Sequence, residues 1–130
     1  MKHRVLVVED NPANRELLCD WLQSEGYGVS AAATLEEAYC CFGDPRPEVV
    51  LLDVQLGADD GLALAQWLRR QPELREIPVI AVTAHAMAVD QARILEAGCN
   101  GCVSKPVDFR SLAVQLDHWL TQGGKVSPAR

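Results

Sequence analysis

Val5-Leu6-Val7-Val8-Glu9-Asp10 sets four apolar residues, three of them β-branched, directly against two adjacent acids. A run this short and apolar at every position reads as a strand covered on both faces, the environment of a parallel sheet, because a strand with one wet face would alternate. The pattern returns at Val49–Leu52, closed by Asp53, and at Val79–Val82, closed by Thr83. Val29–Ala32 and the brief Gly101–Val103 complete five strand candidates. Longer helical patterns separate them. Strict alternation of short strands with helices predicts an α/β fold, a doubly wound five-stranded parallel sheet with helices on both faces.

The helical stretches carry start and stop signals. Asn11-Pro12 offers an N-cap followed by proline at the first helical position, Leu17, Leu18, Trp21 and Leu22 form an apolar stripe, and Gly26 ends it. Thr34-Leu35-Glu36-Glu37 is a capping box for a second helix stopping before Gly43-Asp44-Pro45. A third spans Gly61 to Arg70 with Leu64, Trp67 and Leu68 inward, ended by Pro72, and a fourth covers Met87 to Ala97 with Gly98 behind it. The fifth follows an Asp108 cap, with Leu112, Leu116 and Leu120 on one face. The three tryptophans, Trp21, Trp67 and Trp119, read as packing residues.

Composition narrows the function. Of 130 residues, 48% are apolar and 23% charged, which suits one globular domain, expected over residues 1–122 with a flexible tail at 123–130 that begins at Gly123-Gly124. Twelve basic against eighteen acidic residues give a net charge of −6, the wrong sign for binding nucleic acid or an anionic membrane directly. No apolar run approaches the roughly 20 residues of a membrane span, and Met1-Lys2-His3-Arg4 leads into too short an apolar stretch for a signal peptide, so a cytoplasmic location is expected. Five cysteines lack disulfide-framework spacing. Cys99-Asn100-Gly101-Cys102 fits C-x-x-C, but His3, His85 and His118 are scattered singly and no second C-x-x-C completes a zinc site.

Ligands of doubly wound sheets bind beyond the carboxyl ends of the strands. Glu9 and Asp10 follow the first strand, Asp53 the third, Thr83 the fourth and Lys105-Pro106 the fifth, so these polar side chains meet at one sheet edge. Three crowded carboxylates repel one another and call for a hard divalent cation such as Mg²⁺. Neither G-x-x-x-x-G-K-[ST] nor G-x-G-x-x-G is present, which disfavours the usual nucleotide sites.

Val5–Asn11, Leu51-Leu52-Asp53-Val54-Gln55-Leu56, Asp60-Gly61, Val82-Thr83-Ala84 and Val103-Ser104-Lys105-Pro106, five motifs in order across residues 4–121, resemble the response-regulator receiver domain of two-component signalling. Glu9-Asp10-Asn11 together with Thr83-Ala84-His85-Ala86-Met87 is more similar to single-domain regulators and hybrid histidine kinase receivers than to transcription-factor receivers. The resemblance implies a flavodoxin-like (βα)5 fold with strand order 2-1-3-4-5. It also implies that Asp53 is the phosphoacceptor, taking a phosphoryl group from the phosphohistidine of a histidine kinase or histidine phosphotransfer protein. Glu9, Asp10, Asp53 and the Gln55 backbone carbonyl would hold Mg²⁺, or Mn²⁺ in its place. Thr83 and Lys105 would engage the phosphoryl oxygens, and Lys105-Pro106 would be a cis peptide. Such a domain catalyses its own phosphotransfer and autodephosphorylation and is otherwise no enzyme. It would signal to a downstream protein through the face formed by the fourth helix, fifth strand and fifth helix, and the resemblance also allows a phosphorylation-dependent dimer.

Two departures stand out. Gly57 replaces the proline usual four residues after the phosphoacceptor, which suggests a more mobile loop. Cys102 occupies the position of the aromatic switch, leaving the output to Thr83 and its loop Ala84-His85-Ala86. Competing readings are a haloacid-dehalogenase-type phosphotransfer enzyme, which would need an acid where Gln55 stands, and a pseudo-receiver interaction module, which would be expected to lose site residues that are all retained here. A flavodoxin-like electron carrier would need the missing phosphate loop.

Overall fold

The computed structural model describes residues 3–43, 45–84 and 87–121, excluding the side chain of Ala88. The expected tail, Asp44 of the predicted helix stop, and His85 and Ala86 of the Thr83 loop lie outside the described residues. Five parallel strands, β1 (Arg4–Val8), β2 (Gly28–Ala32), β3 (Val49–Asp53), β4 (Val79–Thr83) and β5 (Gly101–Ser104), form one sheet in the order β2-β1-β3-β4-β5. Helices α1 (Pro12–Ser24), α2 (Leu35–Tyr39), α3 (Leu62–Arg69), α4 (Ala88–Glu96) and α5 (Phe109–Thr121) alternate with them. The fold is flavodoxin-like, as the motif order implies.

The two-residue strand period divides the interior into two cores. Val5, Val7, Val49, Leu51, Ile80 and Val82 face α1 and α5, meeting Leu18, Leu22, Leu112, Leu116 and Leu120. Their neighbours Leu6, Val8, Val50, Leu52, Val79 and Ala81 face α2, α3 and α4, where Leu64, Leu68 and Ile94 close the second core. Each of the three central strands is therefore buried at every core position. Asn11 Oδ1 caps α1 by accepting from Asn14 N at 3.0 Å, and Asp108 Oδ1 accepts from Arg110 N at 3.1 Å before α5. Trp21 packs on Phe109, and Trp67 on Tyr39 and Phe42.

Two local expectations need correction. Leu17 is 55% exposed, outside the α1 stripe, because it lies about 100° around the helix from the buried Leu18 and clears the sheet. The second helix is only five residues long. Thr34 Oγ1 accepts from Glu37 N as a capping box requires, but Glu37 Oε1 reaches back to Ala33 N rather than to Thr34 N. The cap marks where the helix starts and says nothing about its length.

Candidate functional site

Each site residue is delivered by the end of a buried strand. Glu9 and Asp10 leave β1, Asp53 ends β3, Thr83 ends β4, and Lys105 follows β5. All five line one cleft of about 360 Å³ with Asn11, Asn14, Gln55, Gly57 and Ala84. Parallel pairing sets their spacing: Thr83 lies in register with Ser104, and Lys105 N donates to Thr83 O at 2.8 Å, so lysine and threonine leave the sheet side by side. The Lys105–Pro106 peptide is cis. Glu9, Asp53 and Thr83 are buried polar residues.

Lys105 Nζ bridges two carboxylates, 3.3 Å from Asp53 Oδ2 and 3.1 Å from Glu9 Oε1. The contact with Glu9 Oε1 lacks hydrogen-bond geometry, and that buried oxygen accepts no hydrogen bond from any described group. Glu9 Oε2 accepts from Asn11 N, Asp53 Oδ1 from Gln55 N, and Asp10 Oδ2 from Gly57 N at 3.0 Å. Burial pushes Asp53 up to about 7, reinforced by the adjacent Glu9 carboxylate and opposed by Lys105 and the Gln55 N–H. Burial works against the charge of Lys105, but its carboxylate partners Glu9 and Asp53 outweigh it and hold the ammonium above the usual lysine range.

The donor set fits a small hard cation. Glu9, Asp10 and Asp53 each offer a carboxylate oxygen, all within 4.8 Å of one another. Three oxygens on one octahedral Mg²⁺ lie about 3 to 4.2 Å apart. The buried Glu9 Oε1, which faces Lys105 Nζ at 3.1 Å but accepts no hydrogen bond from a described group, adds an acceptor with capacity for a cation. The C-x-x-C pair has no such character: Cys99 is buried, its thiol pushed up to about 12 by burial, and Cys102 is raised in the same direction for the same reason.

Three further groups support the site. Arg15 Nη1 donates to the carbonyl of Glu9 at 3.0 Å, fixing the loop that carries the acids. Gly61 N donates to Val54 O at 2.6 Å, and a Cβ at Gly61 would fall inside contact distance of the Asp53 carbonyl. Gly57 does not leave a loose loop. It opens a tight turn at φ +60° between the paired segments Gln55–Leu56 and Asp59–Asp60, with its N–H held by Asp10. Asp60-Gly61 is the one part of this support that a motif could flag.

Among the described residues, no helix is long and apolar enough to cross a membrane. The family model of the response regulator receiver domain matches residues 5–117. The polar-differentiation response regulator DivK of Brucella anthropi is 41% identical over 120 residues, 92% of this chain and 98% of that protein. The receiver domain of a signal transduction histidine kinase from Syntrophus aciditrophicus superposes with a TM-score of 0.85 at 32% identity, covering 98% of this chain and 96% of the other. The receiver domain of a sensor histidine kinase from Pseudomonas aeruginosa PAO1, solved with a magnesium ion coordinated in its active-site cleft, gives 0.84 at 32%, covering 93% and 99%. A doubly wound sheet of order 2-1-3-4-5, an acidic cleft at its carboxyl edge and these relatives agree, and the chain belongs to the response regulator receiver domains, the phosphoacceptor modules of two-component signalling.

Proposed function

We propose that Asp53 is the phosphoacceptor of this receiver and that the surrounding cleft is its phosphotransfer site. The observation that carries this reading is the position of Asp53: a buried carboxylate between two further acids and the Lys105 ammonium, 3.3 Å away. A carboxylate oxygen of Asp53 attacks the phosphorus of a phosphohistidine, the new O–P bond forms as the N–P bond breaks, and the imidazole nitrogen keeps the bonding electron pair. The donor is a histidine kinase or a histidine phosphotransfer protein. Glu9, Asp10, Asp53 and the Gln55 carbonyl would hold Mg²⁺, which supplies charge neutralisation on the phosphoryl oxygens. Lys105 would counter the same charge, and Thr83 is in place to offer its hydroxyl. Release of the phosphoryl group to water makes the domain catalytic only toward itself.

The domain spans residues 1–122, ahead of a tail at 123–130, and works in the cytoplasm. Its output reaches a downstream protein, or a second copy after phosphorylation, through α4, β5 and α5. Exposed Val89 and Leu95 on α4 and Val114 on α5 support that surface. Cys102, half-buried against the α3–α4 core, is too small to act as a rotating aromatic switch, so the signal travels by backbone and charge. Incubation with Mg²⁺ and a small phosphodonor such as phosphoramidate tests the assignment. The native chain takes one acid-stable, base-labile acyl phosphate, and Asp53→Asn takes none. Undiminished labelling of Asp53→Asn would overturn the assignment.

A further inference from the structure

The turn after β3 has a geometry that the family's usual proline could not adopt. Proline is locked near φ −65° and has no N–H. Gly57 sits at φ +60° and donates its N–H to Asp10 Oδ2. The residue opens a two-residue turn whose arms pair antiparallel, Gln55 with Asp60 and Leu56 with Asp59. Leu56 is buried and seats the hairpin on the α3–α4 core. At its far end Asp60 divides its carboxylate. Oδ1 accepts from Leu62 N at the start of α3, and Oδ2 pairs with Arg93 Nη1 of α4 at 3.2 Å. One hairpin thus joins Asp10 in the cleft to Arg93 on α4.

We propose that this hairpin couples the acidic cleft to α4, with Gly57 and Arg93 as the positioning residues at its two ends. When Asp10 turns its carboxylate toward a bound cation, the Gly57 N–H follows it. The Gln55–Asp60 pairing carries that shift to Asp60, and Asp60 holds Arg93. The same chain of contacts, read backwards, presents Gly57 to Asp10 and preorganises the carboxylate. This route lies on the opposite side of α4 from Cys102 in chain order and uses no aromatic ring. The coupling rests on the reading of Glu9, Asp10 and Asp53 as a divalent-cation site. The Asp60–Arg93 pair is about half exposed, 57% and 54%, and caps the effect. An exposed pair of this kind supports a change of about two- to fivefold in cation affinity, which linkage makes reciprocal.

Titration of the full ¹⁵N-labelled chain with Mg²⁺ alone, read by amide shifts and the Arg93 Nε–Hε resonance, tests it. In the native chain, Asp10 and Asn11, residues 55–60, and Val89–Arg93 all shift with one affinity. Arg93→Gln keeps the cleft and hairpin shifts, loses the α4 response and weakens Mg²⁺ about two- to fivefold. Arg93→Lys restores part of the α4 response. Gly57→Pro removes the N–H and silences both hairpin and α4, whereas Gly57→Ala, strained at φ +60° but with its N–H kept and its Cβ 3.9 Å from Asp10 Oδ2, gives a weakened response that is still larger than that of Gly57→Pro. If Gly57→Pro does not fold, Arg93→Gln decides. An α4 response equal in the native chain and Arg93→Gln, or Mg²⁺ binding to Arg93→Gln as tightly as to the native chain, would overturn the coupling. Cleft amides that respond while α4 stays silent in the native chain overturn the coupling alone. Cleft amides that ignore Mg²⁺ overturn the cation site and the coupling with it.

Discussion

Replacing Asp53 by asparagine stabilises the cation-free protein at alkaline pH, although it removes the proposed phosphoacceptor and an ion pair. Asp53 is 5% exposed, so solvent screening offers little relief, and its carboxyl is pushed up to about 7 from the ordinary 3.8. Between those two values the folded chain binds more protons at Asp53 than the unfolded chain, so stability falls as pH rises through the window and levels off above 7. At pH 5 the folded carboxyl is almost fully protonated while the unfolded one is already ionised, so roughly a third of the penalty is present; by pH 8 both are ionised and nearly all of it is. Integrating the linkage with these two pKa values gives a difference between pH 5 and pH 8 of about 2 to 3 kcal/mol. Asparagine does not titrate and escapes it. Urea unfolding in EDTA at the two pH values therefore shows the stability of Asp53→Asn relative to the native chain improving by about 2 to 3 kcal/mol on going from pH 5 to pH 8, with unchanged m. Because the comparison is between pH values, any constant cost of the substitution, including the lost Lys105 contact, cancels. A gap that stays flat or moves the other way would refute the view of Asp53 as a buried, electrostatically strained carboxylate.

Millimolar Mg²⁺ raises the melting temperature of the native chain, by linkage about 2.7 kcal/mol at a hundredfold excess over Kd, and Asp10→Ala loses most of that rise in the same scan. Gly61→Ala costs more than about 2 kcal/mol by urea unfolding although φ at Gly61 is an ordinary −58°, because the added methyl strikes the backbone carbonyl of Asp53. Arg69 donates to the carbonyls of Gly98, Arg75 and Ile77 and to Asn100 Oδ1, so Arg69→Ala orphans several acceptors and costs about 3 kcal/mol, while Arg69→Lys, with one point charge in place of a planar fork, recovers less than half on the same unfolding curve.

The sequence is most readable where one residue's environment is uniform. Val5–Val8, Val49–Leu52 and Val79–Val82 are buried on both faces, so composition alone identifies them, and the polar residue that ends each run is forced to the sheet edge. That is why Glu9, Asp53 and Thr83 could be brought together before any geometry was known. Helix starts were legible for a similar reason, since Asn11, Thr34 and Asp108 act within three residues of themselves. What escaped is long in range and falls on backbone atoms. Arg15, Arg69 and the Gly57 N–H are defined by the carbonyls or carboxylate they meet, up to 47 positions away, and an arginine in a helix gives no sign of which carbonyls it will serve. Gly57 read as a source of freedom because its permissive φ is visible in sequence while the partner of its N–H is not.

The arrangement of the two cores also explains why α4 is the element that can answer the cleft. α3 buries Leu62, Leu64, Ala65 and Leu68, and α5 buries Leu112, Leu116 and Leu120, whereas Ile94 is the one buried residue among the described side chains of α4. Full burial of one isoleucine is worth about 1.5 to 3 kcal/mol, so the helix is held to the sheet by an amount that a change of charge in the cleft can rival. Its two ends are held differently. Beyond the C-terminus, Arg69 accepts no motion without breaking its bond to the Gly98 carbonyl, and Gly98 itself, at φ +109°, has the Arg69 side chain packed against it. Arg93, in the last turn, adds the exposed pair with Asp60 beside the buried Ile94, whereas Met87 and Val89 at the N-terminal end stand open to solvent. A helix anchored through its last turn moves as a lever about its C-terminal end, and the Asp60–Arg93 pair joins the hairpin 55–60 to that anchored end. With Cys102 too small to gate β5, movement of the N-terminal end of α4, where Met87 and Val89 are exposed, is the change of surface that a partner protein can read.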